Sequence, residues 1–194
     1  MSGLLQRPDG ILGGVSVQSA SLQRNVQVSF LVAVALALHI IESMLPPLPV
    51  PGAKIGLANV ATLVALQFIG FWPAVAVSAI RSVLGGALSG KFLGLGFWMS
   101  FGGATTSALT MGLALRLTPQ GASSVWASLA GAITHASVQM AIAVYAMRQP
   151  ALLVAFPLLL GLSMITGVFI GLVCDGLRKP LERFAASNRK RWRR

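Results

Sequence analysis

The sequence predicts an all-α integral membrane protein, a bundle of six transmembrane helices with both chain ends in the cytoplasm. Three observations carry this fold class. Of the 194 residues, 55% are hydrophobic and only 10% are charged, against about 25% charged residues in a soluble domain. The apolar residues fall into six segments, several of them close to the ~20 residues that cross a bilayer. The positive charges gather at the end of the chain instead of being spread along it.

Two polar tails flank the apolar part of the chain. Residues 1–25 are mixed and polar, which indicates a loose cytoplasmic tail, and no apolar core follows a basic start as in a cleaved signal peptide. Residues 178–194 hold eight of the fifteen Lys and Arg residues. A basic tail can bind nucleic acid, but one that directly follows an apolar span is typical of a cytoplasmic anchor that contacts anionic lipid. The transmembrane domain is therefore predicted over 26–177, with membrane lipid and no nucleic acid as its surroundings.

The predicted spans begin with a helix that carries small residues on one side. Ala33 and Ala37 share a face at i, i+4, a surface of the kind that lets helices approach closely in lipid. The charge-free stretch that follows is interrupted at Gly70-Phe-Trp-Pro73. It fits one kinked helix or two short ones, and two are preferred because proline is well placed at a helix start. The six spans are predicted at 26–45, 55–69, 73–88, 92–115, 125–147 and 151–177.

The distribution of bases agrees with this topology. With both ends inside, the cytoplasm holds Arg7, Arg24, Arg116 and the eight tail bases, eleven in all. Outside are Lys54, Lys91 and Arg148, and Arg81 lies within the third span. This excess of cytoplasmic charge follows the positive-inside rule. A five-span chain would instead export the N-terminal tail with its two arginines.

The connection between the first two spans, 42–59, is predicted to be stiff. Its four prolines, between positions 46 and 51, remove backbone donors and fix φ, so this stretch cannot be ordinary helix. Glu42 stands at its start, and Lys54 near its end. Such a segment indicates a rigid cap over a bound molecule, although a helix stop followed by a helix start fits the same prolines.

Polar residues of the spans converge on one depth, between the membrane midplane and the outer face. A charge at the bilayer centre costs roughly 2.5–3.5 kcal/mol, so Arg81 is expected to serve a function. The surrounding excess of base suits an anionic ligand such as a carboxylate or phosphate. Two alternatives stay open: a structural pair between Arg81 and Glu42, and, for His135, a hydrogen bond to a neighbouring helix. The candidate ligand-binding residues are Glu42, Lys54, Asn59, Arg81, His135 and Gln139.

The sequence offers no catalytic, cofactor or metal site. The stretch from Gly85 to Lys91 nearly matches a P-loop, but Phe92 replaces the hydroxyl that binds Mg²⁺, and no strand is predicted before it. Two histidines on different helices and the single Cys174 do not make a metal site. Energy for any transport is therefore expected from a partner.

The block over 51–59, Pro-Gly-Ala-Lys-Ile-Gly-Leu-Ala-Asn, resembles the signature of a bacterial membrane family. Its members are named Gx transporter family proteins or heptaprenyl diphosphate synthase component I. One departure is Ala136, where the family favours Asn. The resemblance covers about residues 30–175, and its further blocks lie at 70–71, 81–86, 100–103, 131–135 and 157–171.

This resemblance implies two functions. The family is similar to the substrate-binding S-components of energy-coupling-factor (ECF) importers, six-helix proteins of the bacterial cytoplasmic membrane that hold a vitamin-like ligand under the loop between spans one and two. A transmembrane coupling subunit with ATPases would then dock on the first span, for which Ala33 and Ala37 are the candidates. The synthase name implies instead a non-catalytic subunit of a prenyl-chain-elongating enzyme, because Asp9 and Asp175 are too few for Asp-rich Mg²⁺-diphosphate clusters. The importer is the main hypothesis and the synthase subunit the alternative.

Overall fold

The computed structural model is all-helical over the residues that it describes, which are 9–44, 54–90, 92–119 and 123–191. Within them, six α-helices follow one another, and a short 3-10 helix, Pro150–Ala155, precedes the last. The α-helices are α1 (Asp9–Ser43), α2 (Asn59–Phe68), α3 (Phe71–Leu88), α4 (Leu95–Leu117), α5 (Val125–Met147) and α6 (Phe156–Arg191).

Among the described residues, four stretches are long and apolar enough to cross a membrane: Ser21–Ser43, Phe71–Leu88, Val125–Met147 and Pro150–Pro180. The helix α4 has 23 residues, but its middle is rich in Gly, Ser and Thr. The helix α2 has 10 residues and is therefore about 15 Å long, half of the ~30 Å hydrocarbon core. A multi-pass membrane protein is thus supported, whereas the count of six spans and the cytoplasmic position of both ends stay predictions.

Helices that follow one another along the chain run in alternating directions, as the contacts between their ends show. The start of α3 meets the end of α4, where Arg116 Cζ lies 4.6 Å from the centroid of the Phe71 ring. The ends of α1 and α3 meet at His39 and Gly85. The last turns of α2 and the late part of α6 are both hydrogen-bonded to the residues that precede α5. The start of α1 and the end of α6 therefore lie at one end of the bundle, and Lys54 lies at the other, which we call the Lys54 end.

The short helix α2 occupies the centre of the bundle, where it contacts α1, α3, α4 and α6. Small buried residues such as Ala61 and Ala65 let its neighbours approach. The α5–α6 contact is also close, because a Cβ on Gly171 would come within 2.5 Å of the Val125 backbone. Only glycine permits this approach. The helix α1 packs on α2 and α3 at the edge of the bundle.

The break in the charge-free stretch agrees with the two-helix prediction. The helices α2 and α3 are separate, and Gly70 between them has φ 127°, a conformation that side chains disfavour. The start of α2 was predicted four residues too early, since 54–58 is not helical. The N-terminal tail differs from the prediction of a loose segment, because the chain is helical from Asp9. At the other end of the chain, the last helix continues through Pro180 to Arg191. Extending an existing helix is far easier than nucleating one.

Candidate functional site

A non-helical segment, 54–58, leads the chain into α2 and supplies backbone groups to the site. Gly56 is buried at φ 93°, and its N–H donates to a carboxylate oxygen of Glu42. The N–H of Lys54 donates to Gln139 Oε1 at 3.1 Å. Irregular backbone at membrane depth is tolerated only where protein or a water-filled cavity satisfies its polar groups. The side chains of α1 and α5 provide that satisfaction here.

The Arg81 side chain lies deep in the bundle, with 2% of its surface exposed. Its Nη2 donates to Asn59 Oδ1 at 2.9 Å, and Asn59 Nδ2 donates to Ser107 Oγ at 3.4 Å. The Nε of Arg81 is buried, and no residue of the described structure accepts its hydrogen bond. Since a guanidinium carries five donors, this arrangement leaves capacity for an acceptor that the described residues do not supply.

The Lys54 side chain ties the same segment to α1. Its Nζ lies 2.8 Å from His39 Nε2 and 2.9 Å from Ser43 Oγ. Because an ammonium group can only donate, His39 accepts through Nε2 in this arrangement. Gly85 of α3 makes room for the imidazole, since a Cβ there would stand 2.6 Å from its Nε2.

The helix α5 contributes an amide and an imidazole that are hydrogen-bonded to each other. Gln139 Nε2 lies 2.7 Å from His135 Nε2, so the amide donates and the ring accepts. The other end of the same amide accepts the Lys54 N–H. The His135 ring also lies close to the backbone of Gly56 and of Gly103, and both side chains are buried.

The six residues that the sequence predicts as ligand-binding thus lie together, linked through 54–59. Their role in binding stays a prediction. Sequence reasoning left out four residues that join them: the backbone of Gly56 and the side chains of His39, Ser43 and Ser107. Of these, His39 had a usable signal, because it shares a helix face with Glu42 at i, i+3. Ser107 had none, being one hydroxyl among several in α4.

The direct pair between Arg81 and Glu42, one alternative from the sequence, does not occur among the described residues. The two charges attract each other, but the carboxylate is bonded to Gly56 and the guanidinium to Asn59. The Glu42 and Arg81 side chains are therefore linked indirectly, through the 54–59 backbone and Asn59. Half of the cap predicted over 42–59, namely 45–53 with all four prolines, lies outside the described residues.

The predicted docking residues lie on the free side of α1. Ala33 and Ala37 are exposed, while the opposite face of the helix packs on α2 and α3. Phe30, Ile40 and Met44 on the free side are 67%, 44% and 81% exposed. The face is thus apolar, with two small residues at its middle.

A second polar cluster, at the end opposite Lys54, is a helix cap. Asp175 accepts hydrogen bonds from Ser123 Oγ at 2.6 Å and from the Ser124 N–H at 2.9 Å. A carboxylate at a helix start is stabilised by the helix dipole, so this cluster joins α6 to α5. In the parts of the chain that the structure describes, no group of three or more His, Cys, Asp or Glu residues is placed to hold a metal ion.

The comparisons with known proteins agree with the resemblance seen in the sequence. A family model described as "Heptaprenyl diphosphate synthase component I" matches residues 31–177. The matched part is well over half of the chain and contains every residue of the site. Neither the curated proteins nor the solved structures include a match to this chain.

Proposed function

Since the chain belongs to the heptaprenyl diphosphate synthase component I family, we propose that it is a non-catalytic membrane subunit of a prenyl diphosphate synthase. The family match carries this proposal, and the acid content of the sequence agrees with it. The whole chain has four acidic residues, Asp9, Glu42, Asp175 and Glu182, spread over tails and helices. Mg²⁺ in phosphate chemistry is held by carboxylates together with substrate phosphates. A partner subunit must supply that set.

The contribution of this chain is a membrane-embedded site for an anion. Arg81 is buried, and its Nε has no hydrogen-bond partner in the part of the chain that the structure describes. The Lys54 ammonium lies at the same end of the bundle. Charge-assisted bonds from a guanidinium to a carboxylate or phosphate are strong and often bidentate. An entering anion would therefore compete with Asn59 for Arg81. The diphosphate end of a prenyl chain is one such anion.

The test is reconstitution with a catalytic prenyl synthase subunit. Elongation of farnesyl diphosphate with isopentenyl diphosphate is measured in membranes with and without this chain. We expect the two subunits to co-purify and the chain to raise the yield of the long product. Absence of both effects would contradict the synthase assignment.

A second function is favoured by the site's own geometry. We propose as the alternative that the chain is the substrate-binding subunit of an ECF-type importer for a small, anionic, vitamin-like molecule. The segment 54–58, which is hydrogen-bonded to α1 and α5, lies beside a buried cation and suits an enclosed ligand. The exposed face at Ala33 and Ala37 suits the docking of a transmembrane coupling subunit with ATPases. The charge distribution supports six spans in a bacterial cytoplasmic membrane, with the Lys54 end outside.

One purification separates the two functions. The full chain is isolated in mild detergent, and the bound proteins and small molecules are identified by mass spectrometry. ATPases together with a small anion favour the importer, whereas a prenyl synthase subunit favours the first proposal.

A further inference from the structure

A groove lies between α1 and α3 at the end of the bundle opposite Lys54. Its volume is about 640 Å³, and it is open to the surroundings. From α1 it is lined by four residues that share one face at i, i+3, i+4 and i+7. From α3 it is lined by the first turns. The lining residues are Ser21, Arg24, Asn25, Val28, Trp72, Pro73 and Ala76.

Polarity changes along this groove in one direction. Its outer part holds a hydroxyl, an amide, the Arg24 guanidinium and the Trp72 indole, which is 72% exposed. Its deeper part holds Val28 and Ala76. One and two turns further along α3, Ile80 and Leu84 are 42% and 39% exposed, so the apolar surface continues beyond the groove. A polar head and an apolar tail would each meet a matching surface.

The charge of the groove has one sign. Arg24 is its cation, and none of the lining residues is a carboxylate. The start of α3 beside it has Gly70 as N-cap with no side-chain cap, and its first turn has no acidic residue. The helix α3 therefore supplies no acidic side chain of its own to the positive end of its dipole. An exposed Trp at this depth is typical of a membrane–water interface.

We propose that this groove binds the phosphate head group of a membrane amphiphile, with the head at Arg24 and the tail along α3. Arginine suits phosphate because its planar fork matches the oxygen geometry. Two sources have this chemistry: an anionic phospholipid of the bilayer and a prenyl diphosphate. The site is distinct from the Arg81 site, and it does not depend on the synthase or the importer assignment.

Native mass spectrometry of the full chain tests the proposal with two probes, phosphatidylglycerol and farnesyl diphosphate, titrated separately. Arg24→Gln removes the cation and is expected to weaken binding about tenfold, the effect of losing roughly one charge-assisted contact. Ala76→Phe fills the apolar part without changing charge and is expected to weaken binding to a similar extent. Arg148→Gln makes the same charge change at the Lys54 end and serves as the control. All variants keep the basic tail 178–194, so its contribution cancels.

The outcomes identify the source. If Arg24→Gln and Ala76→Phe weaken the binding of phosphatidylglycerol alone, the groove is assigned to a bilayer lipid. If they weaken the binding of farnesyl diphosphate alone, it is assigned to a prenyl diphosphate. Loss of both supports the shared chemistry. The proposal is overturned if Arg24→Gln and Ala76→Phe bind both probes as Arg148→Gln does. The proposal is equally overturned if Arg24→Gln weakens binding but Ala76→Phe does not, because the apolar part of the groove would then not contact the ligand.

Discussion

The substitution Arg81→Gln removes the buried charge of the site and keeps a side chain that can form hydrogen bonds. In the structure it costs the 2.9 Å bond to Asn59 Oδ1. Leaving a buried acceptor unpaired costs about 1–3 kcal/mol. The variant also removes a buried Nε that has no acceptor among the described residues, and this offsets part of the loss. We therefore expect a modest destabilisation in the absence of ligand, at the low end of that range.

A structural ion pair would behave differently. Breaking a buried pair by removing one partner costs about 3–5 kcal/mol, because the other charge stays buried without compensation. Glu42→Gln in the same chain would then restore stability. Since the Glu42 carboxylate already accepts the Gly56 N–H, we expect no such rescue, and the double variant should be no more stable than Arg81→Gln.

Ligand binding gives the second measurement of the same variant. Losing a charge-assisted contact costs about 1.5–3 kcal/mol, roughly a tenfold to hundredfold loss of affinity. Thermal unfolding is followed by a fluorogenic thiol dye at Cys174, the single cysteine, which is fully buried. Inorganic phosphate, diphosphate and a small dicarboxylate serve as probes. An anion that binds the native wild-type protein raises its unfolding temperature, and Arg81→Gln should abolish that rise.

Two results would refute this reasoning. One is a full anion-induced rise in the unfolding temperature of Arg81→Gln, which would place the anion elsewhere. The other is restored stability in the variant that combines Glu42→Gln with Arg81→Gln, which would make the pair structural. A matched control is Arg148→Gln, which loses the same charge outside the site.

Three further predictions concern packing, docking and topology. Gly171→Ala should lower the free energy of unfolding by about 1–3 kcal/mol, because its Cβ would meet the Val125 backbone at 2.5 Å. The control Gly176→Ala on the same helix has open space, so its unfolding temperature should be unchanged or slightly higher. Leucine at both Ala33 and Ala37 should leave melting and anion response intact but reduce the co-purified partner; unchanged partner recovery would disprove docking there. Reporters fused to the first and last residues should both be located in the cytoplasm, and an external N-terminus would contradict the six-span topology.

The meeting of the six polar residues could be predicted because depth along a helix is encoded in the sequence. Residues placed at one depth of alternating helices must lie in one layer of the bundle. The break between α2 and α3 was equally accessible, since Gly70 and Pro73 restrict the backbone locally. What could not be predicted was the non-helical start of the second span. Residues 55–58 are apolar enough for helix, and a bond from Gly56 to Glu42, fourteen positions earlier, stabilises the alternative.

The partner of His39 shows the same limit. Helical spacing places His39 beside Glu42, whereas in the structure His39 accepts a hydrogen bond from the Lys54 ammonium. That contact requires the chain to leave α1 and return to it, and the intervening connection contains the prolines that obscure local patterns. Spacing within one helix is therefore informative about faces, but not about which distant residue fills them.

The last prediction follows from the position of α1, which carries the site and the free face on opposite sides. Glu42 and His39 face inward and hold the 54–58 segment, while Ala33 and Ala37 face outward. A partner that docks on the outward face acts on the helix that sets the position of Glu42, so we expect docking to change anion affinity. Binding free energies are reciprocal: the factor by which the partner changes anion affinity must equal the factor by which the anion changes partner affinity. Both are measured by titration of the purified chain with the partner and with diphosphate. An anion affinity that is identical with and without a saturating partner would show that α1 does not couple the two faces.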